Sequence, residues 1–504
     1  MKNILEFIEQ NGILFKDKTA FKDVQNSLTY GQLLCSSKAA GTALASIGTK
    51  NRPVAIYLDK SVNVLTAMFG IVYSGNFYVV IDSEMPSPRI NTIFETLKPV
   101  AVVTDSEHME TANALDFDGQ AFDINALLET QIDDELLAKI RNAQIDTDPV
   151  YALYTSGSTG VPKGAVVSHK AVIAYSEWSS KTFNITSETI FGNQTPFYFS
   201  MSVTDIYSTI RTGAQLVIIP KSYFSFPIKL IEFLNDNKVN TIYWVPSAIS
   251  IVANLKLFKF AKPQYLKSVL FAGEVMPTKQ LNYWINNLDS NITYANLFGP
   301  TETTDICTYY VVNRKFSDDE PLPIGTHCDN CDVVIVNDKG EPAKVGEEGE
   351  LYVRGSFLAN GYYNNPGKTA EAFVQNPLNS SYPELVYKTG DLVRENEFGE
   401  IMYITRKDFQ IKRSGYRIEL GEIETAVSSL ENIEENACVF DSDNDKIILF
   451  YCGRKIEDSM VRECISSKLP QYFMPDKFVK LRQMPHNQNG KIDRKNLKTL
   501  IKEN

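Results

Sequence analysis

The chain has 504 residues, which is too long for one hydrophobic core and predicts two or more domains. Hydrophobic residues make up 43% and charged residues 22%, the balance of a globular protein, and the net charge of −11 argues against a nucleic-acid-binding protein. No apolar run is long enough to span a bilayer, the first fifteen residues lack the core of a signal peptide, and the seven cysteines are an odd number. These features predict reduced thiols and a cytoplasmic location.

The first 300 residues alternate between apolar, strand-like runs and segments of helical period. Residues 1–15 mix apolar and charged side chains at helical spacing and predict an amphipathic helix. Runs rich in Val, Ile and Tyr predict strands at 53–58, 77–82, 100–105 and 241–246. This alternation is typical of βαβ units and predicts an α/β fold with layered sheets and helices.

The pattern changes in the last third of the chain. Short strands separated by turn signals over about 323–405 predict a small β-rich subdomain. Residues 406–504 contain 18 Lys and Arg against 16 Asp and Glu, whereas the preceding residues are strongly acidic. We therefore predict a large N-terminal domain of residues 1–405 and a small α+β C-terminal domain of residues 406–504. Within the latter, the patterns predict a helix at 418–430, a strand pair in 435–453, a helix at 460–469 and a strand at 477–481.

The strongest local motif is YTSGSTGVPKG, residues 154–164, which follows a predicted strand and precedes a predicted helix at 166–175. Its glycines and hydroxyls give backbone N–H groups room to approach a polyphosphate, and Lys163 supplies a positive charge. The motif is not a Walker A loop, because no Gly-Lys-Ser/Thr closes it. A flexible Ser/Gly turn is the alternative interpretation.

Four further motifs are weak when taken singly. They are NLFGPTETT at 296–304, YKTGDL at 387–392, RKDFQIK at 406–412 with GYRIE at 415–419, and NGKIDR at 489–494. In the second motif we predict Asp391 at a tight turn, where a carboxylate can bind the vicinal hydroxyls of ribose. In the last, an Asn-Gly pair is usually only a turn.

Together and in this order, the motifs resemble the superfamily of acyl-CoA synthetases, luciferases and nonribosomal-peptide adenylation domains. The resemblance covers nearly the whole chain, and chance does not explain five spaced motifs. Residues 196–207 and 271–274 are most similar to stand-alone D-alanine–carrier-protein ligases. The family implies layered α/β subdomains and a C-terminal domain that rotates about a hinge, here Asp408. Thr405 stands where the family usually has glycine, a change that we expect to be tolerated even if it stiffens the hinge.

The resemblance implies ATP and Mg²⁺ as cofactors and gives each motif a role. The loop would hold the β- and γ-phosphates, Phe298 would stack on adenine, Glu302 would help to hold Mg²⁺, and Asp391 and Arg406 would bind ribose. Lys491, on the mobile domain, would reach the substrate carboxylate and the α-phosphate, where negative charge grows during the reaction. The implied catalytic residues are Lys491, Glu302 and Thr155. The implied nucleotide-binding residues are Ser156, Gly157, Ser158, Thr159, Gly160, Lys163, Asn296, Leu297, Phe298, Gly299, Thr301, Asp391 and Arg406.

The same resemblance assigns a substrate pocket. Adenylation domains for α-amino acids place an aspartate at the position of Ser200, where it binds the α-ammonium group. Serine cannot neutralise that charge, and an unpaired buried charge is costly. Either the substrate lacks an α-amino group or another acid replaces the aspartate. Asp305 is the candidate, with a solvated helix residue as the alternative, and bulky Trp244 would limit the depth. The assigned pocket residues are Phe199, Ser200, Met201, Thr204, Trp244, Leu270, Ala272, Gly273, Leu297, Asp305 and Ile306.

These features predict an adenylate-forming ligase that converts a carboxylic acid to an acyl-AMP and passes the acyl group to a carrier protein in trans. An acyl-CoA ligase using free coenzyme A is the first alternative, although such enzymes commonly place a histidine at Phe199. A D-alanine–carrier-protein ligase is the second. Aryl acids, short acyl acids and acids with a distant amine fit the pocket. We further predict that Lys412, Arg413 and Arg417 steer an acidic carrier, and that His169 and the C-x-x-C motif at 328–331 are structural.

Overall fold

The structure is a computed structural model that describes residues 1–156, 161–407, 410–442, 444–486 and 492–502. Within these ranges, helices and strands alternate through the first 300 residues, and this confirms the predicted α/β class. None of the helices in these ranges is both long and apolar enough to cross a membrane.

Two large sheets and their helices form the N-terminal region. Its strands are β1 (Thr19–Lys22), β2 (Ser27–Thr29), β3 (Pro53–Tyr57), β4 (Phe77–Ile81), β5 (Ala101–Thr104), β6 (Gln120–Asp123), β7 (Pro149–Thr155), β8 (Lys163–Ser168), β9 (Ile190–Asn193), β10 (Gln215–Ile218), β11 (Thr241–Trp244), β12 (Ser268–Phe271), β13 (Thr293–Phe298), β14 (Thr308–Val311) and β15 (Thr326–His327). Its helices are α1 (Leu5–Leu14), α2 (Tyr30–Ala45), α3 (Val62–Tyr73), α4 (Ser87–Leu97), α5 (Met109–Ala114), α6 (Ile124–Leu128), α7 (Asp134–Ala143), α8 (His169–Thr182), α9 (Ser202–Thr212), α10 (Pro227–Asp236), α11 (Pro246–Asn254) and α12 (Thr278–Asn287).

Both sheets have a parallel centre. The first has the strand order β15-β14-β13-β12-β11-β9-β10-β1-β2, and the second has the order β6-β5-β3-β4-β7-β8. Strands from β13 to β1 in the first sheet and from β6 to β7 in the second are parallel. Parallel strands are covered on both faces, which explains why β3 and β4 are apolar and buried at every position.

An antiparallel sheet follows where the sequence predicts short strands. It consists of β16 (Cys331–Val336), β17 (Gly349–Gly355), β18 (Phe373–Gln375), β19 (Leu385–Glu395) and β20 (Ile401–Arg406), with helix α13 (Pro366–Ala372). The strand order is β16-β17-β19-β18, and β20 also pairs with β19, at residues 391–395. Strands β19 and β20 therefore lie side by side when they reach the candidate site.

The last part of the chain forms a smaller α+β unit. It consists of β21 (Gln410–Arg413), β22 (Tyr416–Glu419), α14 (Leu420–Ser428), β23 (Ile433–Asp441), β24 (Lys446–Gly453), α15 (Asp458–Lys468), β25 (Lys477–Lys480) and α16 (Arg494–Lys502). Strands β21 and β22 form a hairpin, and β23, β24 and β25 form a separate sheet. Ile423, Leu449 and Ile465 are fully buried in an apolar cluster confined to this unit. The predicted hinge residue, Asp408, lies outside the described residues.

Three local predictions are wrong. The helix predicted at 166–175 begins only at His169, because the preceding residues pair with β7 as the antiparallel strand β8. The helix predicted at 418–430 begins at Leu420, since the two residues before it pair with β21. Asp391 is not at a turn but inside β19, where it pairs with Arg406. In each case, hydrogen bonding to another strand decides the structure, and the local sequence pattern does not reveal that partner.

His169 is fully buried at the first position of α8. Its Nδ1 accepts a hydrogen bond from the backbone N–H of Ile4 at 3.2 Å. Burial lowers the pKa of His169 from 6.5 to about 3. These contacts give it the packing role that the sequence predicts.

We expect this histidine to make the free energy of unfolding depend on pH. The folded chain keeps the ring neutral, whereas the unfolded chain binds a proton below pH about 6.5. The stabilisation is therefore complete above pH 6.5 and is lost as the pH falls towards 3. Between pH 6 and pH 4, His169→Gln should remove a slope of up to about 1.4 kcal/mol per pH unit in denaturant titrations. His327→Gln, at an exposed position, should keep the wild-type slope, and parallel curves for His169→Gln and the wild type would refute the assignment.

Candidate active site

A cavity lies between the N-terminal region and the unit formed by residues 410–473. It opens where β12 and β13 end, the edge at which open parallel sheets usually bind ligands. The predicted nucleotide residues in its wall are Thr155, Ser156, Gly299, Thr301, Asp391 and Arg406. The predicted pocket residues in its wall are Phe199, Ser200, Met201, Ala272, Gly273, Asp305 and Ile306. The fold thus brings motifs that are up to 250 residues apart to one cavity.

Charged side chains of β19, β20 and β21 form one part of the wall, and an aromatic ring lies beside them. Arg406 Nη1 lies 2.9 Å from Asp391 Oδ1, and both side chains are buried. The Lys412 ammonium lies 5.0 Å from the centre of the Phe298 ring. Burial lowers the pKa of Lys412, although the Asp391 carboxylate partly offsets this effect. The predicted ribose and adenine residues are therefore neighbours, linked by a lysine that the sequence did not assign to this site.

Glu302, the predicted Mg²⁺ ligand, is fully buried in the short 3₁₀ turn Thr301–Thr303. Arg417 Nη1 donates to Oε1 at 3.2 Å and to Oε2 at 3.0 Å, and the Tyr362 hydroxyl donates to Oε1 at 2.6 Å. Lys163 Nζ lies 3.4 Å from Oε1. Burial alone would raise the pKa of Glu302, but the charges of Arg417 and Lys163 outweigh burial and hold this pKa well below its usual range. The carboxylate is therefore ionised.

Two backbone segments of the site approach each other closely: Gly299, after β13, lies against residues 305 and 306. A Cβ atom on Gly299 would lie 2.3 Å from the carbonyl oxygen of Asp305 and 2.6 Å from Cα of Ile306, so only glycine fits. Next to it, the carbonyl of Phe298 accepts a hydrogen bond from the Cys307 N–H at 2.8 Å. The predicted adenine-facing segment is thereby fixed against the predicted substrate pocket.

Asp305 lies in the cavity wall and is 1% exposed, so its alternative assignment as a solvated residue is wrong. Its Oδ2 accepts hydrogen bonds from Tyr175 at 2.9 Å, Thr204 at 2.9 Å and Tyr243 at 3.1 Å. The Ser200 hydroxyl also hydrogen-bonds this carboxylate. Burial raises the pKa of Asp305 to about 6, and these hydroxyls limit the rise.

Some predicted pocket residues do not line the cavity. Trp244 is fully buried, its indole N–H donates to the Gly192 carbonyl at 2.8 Å, and its ring packs against Phe224. It therefore supports the wall and does not form it. The other predicted site residues outside the lining are Thr204, Leu270, Leu297, Lys163, Phe298, Glu302 and Asn296, the last donating from Nδ2 to the Pro323 carbonyl at 2.8 Å.

The centre of the phosphate-loop motif falls outside the described residues, but both of its ends are described. Ser156 Oγ donates to the carbonyl of Arg417 at 2.8 Å, and Lys163 Nζ donates to the Tyr362 hydroxyl at 2.8 Å. The Thr155 hydroxyl faces the Lys163 carbonyl at 3.5 Å. The predicted residues outside the described ranges are Gly157, Ser158, Thr159, Gly160, Lys491 and Asp408.

The prediction that three basic residues form a carrier-steering surface is wrong. Arg417 pairs with Glu302, Lys412 lies over Phe298, and Arg413 donates to Asp476 at 2.8 Å. All three are directed to partners within the protein because β21 and β22 enter the cavity. The GYRIE motif at 415–419 was the sequence signal for Arg417, whereas no motif pointed to Tyr362.

Further contacts join the hairpin of β21 and β22 and helix α14 to the N-terminal region. Arg89 of α4 forms a buried ion pair with Glu422 of α14. The Gly415 N–H donates to Glu274 Oε1 at 3.0 Å. Gly415 has a φ of +81°, and a Cβ atom there would meet Val245 at 2.7 Å, so a side chain would disturb this approach. The C-terminal unit is thus packed over the cavity mouth.

Cys328 and Cys331 are buried, as is Cys307 nearby. Burial raises the pKa of each thiol. Across the described ranges, no group of three or more His, Cys, Asp or Glu side chains is arranged to hold a metal ion. Buried thiols of this kind pack as small apolar residues.

Comparison with known proteins identifies the family. Residues 8–363 match the AMP-binding enzyme family, and the chain belongs to it. It is an adenylate-forming ligase. The chain is 31% identical to zwittermicin A synthase ZmaJ from Bacillus cereus, over 99% of this chain and 95% of that protein. Three larger curated relatives are 28–30% identical, but the chain spans only 8%, 9% and 45% of their length.

Solved structures share this fold. One is holo-PA1221, a nonribosomal peptide synthetase protein containing adenylation and peptidyl carrier domains, with a TM-score of 0.85, 20% identity and coverage of 98% of this chain and 84% of that chain. Another is o-succinylbenzoate CoA synthetase (MenE) from Bacillus subtilis, with a TM-score of 0.84, 19% identity and coverage of 99% and 98%. Similarity at these identities shows the fold and does not separate the two kinds of acceptor.

Proposed function

We propose that the chain activates a carboxylic acid with ATP and transfers the acyl group to the phosphopantetheine thiol of a separate carrier protein. The observation that supports this most directly is the composition of one cavity. Its wall joins an acidic and basic pair suited to ribose and a pocket ending at Ser200 and Asp305, and the ionised Glu302 follows Thr301 of this wall in the chain. The nucleotide-binding groups alone, or the acid pocket alone, would not suffice for the reaction.

In the first half-reaction, a carboxylate oxygen of the acid attacks the α-phosphorus of ATP. The new bond is the acyl–phosphate bond of acyl-AMP, and the bond to the β-phosphate breaks, releasing pyrophosphate. Both reactants are anions, so positive groups must lower the repulsion. We assign Lys163 and the 155–164 loop to the phosphates, Asp391 and Arg406 to ribose, and Lys491 to the α-phosphate.

The residues at Glu302 fit a bound Mg²⁺. This ion prefers one or two carboxylates together with substrate phosphates and water, and Glu302 supplies a buried, ionised carboxylate beside the loop residue Lys163. When bound, Mg²⁺ would screen the negative charge of the polyphosphate. Glu302 would hold it, and the Thr155 hydroxyl in the cavity wall would contact the phosphates.

The arrangement of Arg417 suits the second half-reaction. Arg417 occupies both oxygens of Glu302, and Ser156 is bound to the Arg417 backbone. A magnesium-bound polyphosphate and Arg417 would compete for the same carboxylate. We therefore propose that this arrangement follows the departure of pyrophosphate, and that Arg417 withdraws when ATP binds. In the second half-reaction, the thiolate attacks the acyl carbon and AMP leaves.

This exchange requires movement of the C-terminal unit. We propose residues 1–405 and 406–504 as the two domains, with the hinge at Asp408. Rotation about the hinge would remove Arg417 from Glu302 and bring Lys491 to the cavity. A mobile domain of this kind lets one site serve two half-reactions.

The acceptor is tested by comparing two thiols. We expect efficient thioester formation on a phosphopantetheinylated carrier protein encoded beside this chain, and little on free coenzyme A. The name of PA1221 records an adenylation domain joined to a peptidyl carrier domain, which supports this choice. The matched control is the same carrier with its attachment serine changed to alanine, which should accept no acyl group. Efficient acyl-CoA synthesis would instead favour the acyl-CoA ligase alternative.

Ser200 separates this chain from a D-alanine ligase. A hydroxyl cannot neutralise an α-ammonium group, and leaving that charge buried and unpaired costs several kcal/mol, about 3–5. We therefore propose an acid without a free α-ammonium group as the substrate and D-alanine as the weaker alternative.

A cytoplasmic location stays a prediction.

A further inference from the structure

The carboxylate of Asp305 is buried without a cation of its own. No Lys, Arg or His nitrogen among the described residues lies within ion-pair distance of it, and its hydrogen-bond partners are all neutral hydroxyls. A buried carboxylate is costly unless it is paired with a positive group. Because burial raises the pKa of Asp305 only to about 6, the group is ionised at neutral pH. The protein thus keeps a negative charge in the wall of its substrate cavity.

Asp205, a second buried carboxylate in this region, provides a comparison. Burial raises the pKa of Asp205 to about 8, although a hydrogen bond from Asn193 Nδ2 to Oδ2 at 2.7 Å and the positive charge of Lys60 limit the rise. Asp205 does not line the cavity, whereas Asp305 does. The carboxyl group outside the cavity is therefore mostly protonated at neutral pH, whereas the carboxylate that a substrate can reach keeps its charge.

The hydrogen bonds of Asp305 also leave room for a ligand. The hydroxyls of Tyr175, Thr204 and Tyr243 all lie within hydrogen-bond distance of the same oxygen, Oδ2. Because these contacts fall on Oδ2, Oδ1 has more capacity for a new donor. The hydroxyls fix the carboxylate in place, and an ammonium group from the cavity would complete its coordination with a charge-assisted hydrogen bond.

The position of Asp305 indicates where the positive charge lies on the substrate. The Thr301 hydroxyl, beside Glu302, lies 3.4 Å from the Ser200 hydroxyl, which in turn hydrogen-bonds Asp305. Asp305 is thus one hydrogen bond further from the nucleotide end than Ser200. A group on the α carbon of the substrate would meet Ser200, and only a group further along the chain would meet Asp305.

We infer that the substrate is an amino acid whose ammonium group is on the β carbon or further from the carboxyl group, and that Asp305 binds this ammonium group. The inference rests on the proposed function, since it assumes that the acid enters this cavity. It selects the acids with a distant amine from the candidates and excludes aryl and simple acyl acids as the preferred substrates.

The test compares acids that differ only in replacement of the ammonium group by methyl. The pairs are β-alanine with butyrate, 4-aminobutyrate with pentanoate, and 5-aminopentanoate with hexanoate. In ATP–pyrophosphate exchange, we expect the amino acid of at least one pair to have a kcat/KM about thirtyfold or more above that of its partner. Asp305→Asn should remove this preference, so that the two members of a pair have similar kcat/KM values. A folding defect would lower both acids together, so the ratio separates recognition from structural damage.

A binding measurement keeps the inference falsifiable without turnover. Non-hydrolysable sulfamoyl-adenosine analogues of the same acid pairs should bind the wild type with a dissociation constant at least tenfold lower for the amine-bearing member. Asp305→Asn should abolish that difference. Equal binding of both members in every pair, or exchange dominated by D-alanine or another α-amino acid, would overturn the inference. Amine-selective binding without any exchange would support Asp305 and contradict the proposed function instead.

Discussion

We expect Lys491→Ala to lower ATP–pyrophosphate exchange by about a hundredfold or more. The substrate carboxylate and the α-phosphate are both negative, and the charge on the phosphoryl oxygens grows as the new bond forms. A lysine that contacts these oxygens stabilises the transition state more than the ground state, so its loss should appear mainly in kcat. Steady-state exchange at saturating acid and ATP measures this effect directly.

The matched control is Lys498→Ala, which removes an exposed lysine seven residues further on, in helix α16. This variant should exchange pyrophosphate at the wild-type rate. The second half-reaction gives an independent check. Thioester formation from pre-formed acyl-AMP should remain close to wild type in Lys491→Ala, because the proposed role of the lysine ends with adenylate formation. Equal losses in both half-reactions would contradict that role.

We expect the second large effect at Glu302, on both stability and activity. Glu302→Gln leaves Arg417 and Lys163 without their buried negative partner, and breaking a buried pair in this way costs about 3 kcal/mol or more in the free energy of unfolding. The same change removes the charge that would hold Mg²⁺, so pyrophosphate exchange should fall as well. Denaturant unfolding measures the first effect, and the magnesium dependence of exchange measures the second.

Glu320→Gln is the control for this variant. Glu320 pairs with Arg314 at 2.7 Å on the protein surface, where such pairs contribute little, and its unfolding curve should match the wild type. A double variant, Glu302→Gln with Arg417→Met, should lose less stability than the two single variants added together, because each single variant leaves the other charge unpaired. Additive losses would show that the two residues do not depend on each other.

The sequence predicted the class of fold because the relevant signals are local. The strands at 53–57 and 77–81 are continuous apolar runs, and such runs are typical of parallel strands buried on both faces. Predictions failed where a distant partner decides the structure. Strand β8 forms because β7 lies beside it, and Asp391 lies inside β19 because β20 pairs there. Local patterns contain no information about these partners.

The residues of the candidate site were likewise predicted only in part. Ordered motifs predicted Glu302, Asp391 and Arg406, and the structure places Asp391 and Arg406 in the cavity wall, with Glu302 buried next to Thr301 of that wall. The motifs could not show that Arg417 occupies Glu302, because that contact joins residues 115 positions apart across two structural units. Asp305 was predicted as either a ligand or a surface residue, and its burial excludes only the surface alternative.

The central claim is that this chain forms an acyl-AMP from a carboxylic acid. Exchange of labelled pyrophosphate into ATP, measured with Mg²⁺ and a panel of acids that includes D-alanine, β-alanine, 4-aminobutyrate, butyrate and 4-hydroxybenzoate, tests it most directly. The account predicts exchange that depends on the added acid, is strongest with an amino acid whose amine lies beyond the α carbon, and is lost in Lys491→Ala. Absence of acid-dependent exchange across a broad panel, with a folded protein that still binds ATP, would contradict it.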